Sequence, residues 1–177
     1  RVIQSPQAMS SPSMFQRLAV RDTLLIILSV SAWMQLAPLG DASAAAGWTA
    51  GLALALVAYV AHEWGHALAA MAARSAIYPP RTLLHVSLFS FDARANSVRQ
   101  FMLMSLGGFA VTCVAVLMAH FVLPADELAG RVARGGIFVL ASITLFVEVP
   151  LLLYGLARGR IPAVVAVFRA GPETRSR

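Results

Sequence analysis

The chain has no lysine, a single cysteine and few charges of either sign. Charged residues fill 12% of its 177 positions and hydrophobic ones 59%, where a soluble domain normally carries about a quarter charged residues. There is too little polar surface to clothe a water-soluble fold, so lipid is the expected solvent. The lone Cys113 excludes an internal disulfide and any paired-cysteine metal site. It lies in an apolar run and reads as a buried, inert thiol. Only four histidines are present, too few for a histidine-rich di-iron centre.

The formal net charge of +6 resembles a nucleic-acid signal until the positions are read. All fourteen basic residues are arginine, and they lie between the apolar runs, without interleaved aromatics. Arg1, Arg17 and Arg21 precede the first run. Arg74, Arg81, Arg94 and Arg99 follow the second, and Arg158, Arg160, Arg169, Arg175 and Arg177 follow the last. In a four-span topology all of these share one side, against Arg131 and Arg134 on the other, so both termini are expected to be cytoplasmic. No nucleic-acid role is expected.

The apolar runs cover residues 23–39, 47–73, 98–123 and 135–157, each near the ~20 residues that cross the hydrocarbon core. The expected fold is an all-α membrane protein of about four transmembrane helices. Between the second and third, residues 82–91 are rich in β-formers and follow Pro79-Pro80, which predicts a short cytoplasmic β-strand or hairpin. Residues 1–22 read as a disordered cytoplasmic tail, 23–157 as the transmembrane domain and 158–177 as a cytoplasmic amphipathic tail. In that last tail, residues 161–170 could lie flat at the interface.

Within the second run stands His62-Glu63-Trp64-Gly65-His66. On a helix, His62 and His66 lie one turn apart on one face, so both imidazoles can reach one metal ion. Glu63 is then placed to take a proton from a metal-bound water. Ionisable groups at bilayer depth are costly unless paired, which makes them functional candidates. Trp64 and Trp48 read as packing and interface residues.

A catalytic zinc site expects a third protein ligand. The candidates are His85, Asp92, His120 and Glu148. His85 and Asp92 fall in the connection and His120 near the end of its span. The second and fourth runs point the same way across the membrane. His62 and Glu148 each lie ~20 Å along their helices at 1.5 Å per residue, so depth selects Glu148. A protonated Glu148 bonded to a neighbouring helix, or facing a partner subunit, is the competing reading.

These residues resemble the site-2 protease family of intramembrane zinc metalloproteases, over residues 47–157. The resemblance implies one Zn2+ per chain, with His62 and His66 as ligands and Glu63 as general base. Gly107-Gly108-Phe109-Ala110-Val111-Thr112 falls where that family carries Gly-Pro-x-x-Asn, with Phe109 and Thr112 in place of Pro and Asn. The family's Asp-Gly pair is replaced by Tyr154-Gly155, so Glu148 must serve from about two turns earlier. The implied activity is zinc metalloendopeptidase cleavage in or near a transmembrane segment of a membrane-protein substrate, in a bacterial inner (cytoplasmic) membrane. The altered motifs also allow a catalytically inactive, protease-like structural or regulatory subunit of a larger membrane complex.

Overall fold

In a computed structural model, which describes residues 13–162, four helices are long and apolar enough to cross a membrane. They are α1 (Met14–Leu36), α2 (Ala44–Ala72), α3 (Val98–Phe121) and a fourth span, Leu128–Arg158. The last is built from α4 (Leu128–Ile143), a π turn (Thr144–Glu148) and α5 (Val149–Arg158). Large apolar side chains such as Leu28, Met34, Leu52, Val114, Phe121, Phe138 and Phe146 are exposed along these helices. Such an outer surface is stable against acyl chains, and the chain is an all-α, multi-pass membrane protein.

Helix α2 is the hub, packed against α1, α3 and α4. Small residues permit this. A Cβ on Gly65 would lie 2.7 Å from the Gly107 carbonyl oxygen, and one on Gly107 would collide with Gly65 and Ala69. Here α2 and α3 touch backbone to backbone, the close approach that small residues give helices in lipid.

The first helix begins at Met14, not at residue 23, so the expected tail of residues 1–22 is too long. Ser13 and Gln16 form a reciprocal capping box that starts α1 early. Arg17, Arg21 and Asp22 broke the hydropathy of this stretch, yet Leu18 and Asp22 share its inward face and are buried. The fourth span likewise starts at Leu128 rather than 135. Arg131 and Arg134 are held in its first turns by carbonyls, Asp126 for the former and His120 and Leu123 for the latter. Cys113 is exposed on α3, not buried. The expected amphipathic tail falls largely on residues 163–177, outside the described residues.

The predicted hairpin exists, but its strands lie at its base. β1 (Ile77–Tyr78) pairs antiparallel with β2 (Ser90–Phe91), in register Ile77 to Phe91 and Tyr78 to Ser90. Pro79-Pro80 ends β1, because proline has no N–H for a ladder. Residues 82–88 therefore form an irregular strap whose backbone polar groups find partners on the helices. Arg21 donates to the carbonyls of Leu83 and His85, and the Tyr59 hydroxyl donates to that of Val86 at 3.1 Å. The Leu88 N–H donates to Glu63 at 3.3 Å. Asn96 closes the far end, bonding both N–H and C=O of Ala76.

Candidate metal centre

His62, on the α3-facing side of α2, is 1% exposed. Its Nδ1 donates to Thr112 Oγ1 at 2.8 Å and to the Gly108 carbonyl at 3.2 Å. His66 Nδ1 donates to the Met104 carbonyl at 2.9 Å. A backbone carbonyl can only accept, so each Nδ1 carries a proton, and in its neutral form each ring then keeps its lone pair on Nε2.

Those two Nε2 atoms face each other at 3.1 Å. Glu148 reaches them from the end of the π turn, with Oε1 at 3.3 Å from His62 Nε2 and Oε2 at 3.7 Å from His66 Nε2. With both rings neutral, two nitrogen lone pairs and a carboxylate thus converge on one point. Glu148 Oε2 is buried without a hydrogen-bond partner. Acceptors gathered in this way call for a cation. Ligand bonds of about 2.0–2.1 Å in a tetrahedral site set ligands roughly 3.3–3.4 Å apart, close to the spacings observed here. His62, His66 and Glu148 could therefore hold a metal ion.

The local sequence explains the convergence. His62 and His66 are one α-helical turn apart. The bare Gly108 lets α3 come up against the His66 ring, where a Cβ would overlap it. The π turn precedes Pro150, which lacks an N–H, and Val149 N–H reaches back five residues to Thr144. Irregular turns of this kind concentrate at functional sites. Glu63 lines one cleft together with His66 and Glu148.

Glu148, selected by depth, is thus brought to the histidines. The other candidates are not. Asp92 caps the turn after β2 through the N–H groups of Arg94 and Ala95. His85 is exposed on the strap beside Ser87, and His120 is exposed against Phe121.

Sequence reading missed Thr112, Gly108 and Met104 as supports of the histidines, although Gly108 and Thr112 are themselves one helical turn apart. It also missed Asp22, 2% exposed, which accepts the Trp64 indole N–H at 2.8 Å and pairs with Arg21 at 2.7 Å. Trp64 thereby fastens α1 beside the His62–His66 turn.

Groups that orient a ligand's second nitrogen typically contribute 10- to 100-fold in metal affinity. For the near-isosteric Thr112→Val, with the Gly108 carbonyl still in place, metal affinity is expected to fall about 10-fold. Competition against a chromophoric chelator would measure it, and an unchanged affinity would remove Thr112 from the site.

No family model matches the chain, and no curated protein or solved structure is significantly similar to it. The fold and the cluster together define its class: a four-span helical membrane protein with a partly buried two-histidine, one-glutamate candidate metal centre.

Proposed function

We propose that the chain is an intramembrane zinc metalloprotease of the site-2 protease type, set in a bacterial inner membrane with both termini cytoplasmic. The observation that carries this reading is the convergence of His62 Nε2, His66 Nε2 and Glu148 beside an acidic residue that is not one of the three. Three protein donors leave a fourth position open, the mark of a catalytic rather than a structural zinc site.

Zinc held by His62, His66 and Glu148 would supply Lewis acidity there. Glu63, which lines the same cleft, would accept a proton from the attacking water and return it to the leaving nitrogen. Thr112 and the Gly108 and Met104 carbonyls hold the imidazoles in one tautomer throughout. The substrate is a transmembrane segment unwound enough for one amide to enter the cleft. The alternative, a catalytically inactive protease-like structural or regulatory subunit of a larger membrane complex, would keep the same residues without cleaving a substrate.

The test joins metal content to cleavage. The purified wild type is expected to hold about one zinc per chain and His66→Ala almost none. In cells making either form, new protein N-termini within transmembrane segments are expected only with the wild type. A wild type that stays zinc-free when zinc is supplied sinks the proposal.

A further inference from the structure

Beside the cluster lies a cleft of about 210 Å³. Its inner wall is Glu63, His66 and Glu148; its other walls include Phe101, Met104 and Ser105 from α3, Leu151 from α5, and Phe89 and Phe91 from the hairpin. Pockets for whole small-molecule ligands run to roughly 300–1,000 Å³, whereas a dry cavity of about 150 Å³ takes a single benzene. A cleft of this volume has room for one large side chain.

Its walls are already built. Phe91, Phe101 and Met104 are 4%, 3% and 9% exposed and belong to one packed core with Leu152 and Ala70. The Phe91 and Phe101 rings lie 6.0 Å apart, tilted against each other. Ser87, Ser90 and Ser105 are the uncharged polar members of the lining. An acidic side chain entering here would meet the carboxylates of Glu63 and Glu148. A basic one would pair with those carboxylates only by losing its water against the aromatic walls.

We infer that this cleft is the specificity subsite, which seats one large apolar side chain, such as that of leucine, methionine or phenylalanine, directly beside the bond to be cleaved. The inference rests on the metalloprotease reading. His66 and Glu148 belong both to the cluster and to the cleft lining, so a chain with one amide at the cluster would set a neighbouring side chain beside the cleft. Burying that side chain would contribute about 10- to 100-fold in affinity over glycine. The strap and β2 form part of the lining, so the hairpin shapes specificity as well as covering the site.

The test uses amino-acid hydroxamates, which bind zinc while presenting one side chain, titrated calorimetrically into the zinc-loaded full chain in detergent. Zinc-free His66→Ala gives the baseline for partition into the micelle. Leucine and phenylalanine hydroxamates are expected to bind about 10- to 100-fold more tightly than glycine hydroxamate, and glutamate hydroxamate no better than glycine. Ser105→Leu and Leu151→Trp, which enlarge the lining from α3 and from α5, are expected to bring the leucine and phenylalanine compounds down to the glycine level. Retained zinc and retained glycine hydroxamate binding in either variant show that its site is intact. A flat series in the wild type, or an undiminished preference in an intact filled variant, overturns the subsite and leaves the metal centre standing. A chain that takes up no zinc overturns both.

Discussion

Glu63→Gln is expected to keep about one zinc per chain while peptide-bond hydrolysis falls about 10²–10⁴-fold, the usual contribution of a positioned general base. The substitution is nearly isosteric. The glutamine carbonyl can still accept the Leu88 N–H that Glu63 accepts at 3.3 Å, so the strap stays anchored. Only the capacity to take a proton is lost. The donors His62, His66 and Glu148 are untouched, so metal content separates a chemical defect from a structural one. Cleavage of a transmembrane reporter and zinc content, measured on the same preparation, decide the matter. Zinc lost with Glu63→Gln would make Glu63 a ligand; full activity would end its role as base.

How much of this was legible beforehand depends on which physical signal each element carries. The spans were legible because hydropathy over about 20 residues is a strong signal, but their ends were not. Arg21 and Asp22 looked like the boundary of the first span. In the fold they lie inside α1, because Asp22 is satisfied by Arg21 and by the Trp64 indole. A carboxylate satisfied in part by a group on another helix is invisible to a window that reads one segment. The strap failed for a related reason. Thr82 to Phe89 has the composition of a strand, yet its backbone groups are taken up by Arg21, Tyr59 and Glu63. Those partners come from distant parts of the chain.

The metal cluster was legible in two steps of unequal strength. His62 and His66 follow from helical spacing alone. Glu148 needed a depth argument, which works because two parallel spans of similar length bring equal offsets to equal depth. The supports were not legible. The Met104 and Gly108 carbonyls are backbone groups with no side-chain signature. Thr112 stands where the site-2 protease resemblance leads one to look for asparagine, and its contact to His62 Nδ1 at 2.8 Å gives it work that the substitution alone does not suggest.

Glu148→Ala is expected to weaken zinc by more than the roughly 10- to 100-fold typical of losing an orienting group, since a direct ligand is removed. The purified variant should therefore be nearly zinc-free, while His85→Ala and His120→Ala keep the wild-type content. The side chain of Glu148 is 28% exposed, and α5 remains held by the buried Leu152 and Gly155, so the helix should stay in place. The competing reading is a Glu148 carboxyl bonded to its neighbours with no metal at all, and thermal unfolding in the presence and absence of a chelator separates the two. If Glu148 acts through zinc, chelation of the wild type and the Glu148→Ala substitution remove the same stabilisation, and chelator adds nothing to the variant. Such non-additivity is what two changes to one interacting unit produce. If Glu148 acts only through hydrogen bonds to His62 and His66, the variant is destabilised and the chelator leaves the wild type unmoved. Glu148→Asp sharpens the comparison by withdrawing the carboxylate one methylene from the two Nε2 atoms. Partial zinc retention there would tie affinity to reach, as expected of a ligand whose oxygens lie 3.3 and 3.7 Å from the nitrogens that share the ion.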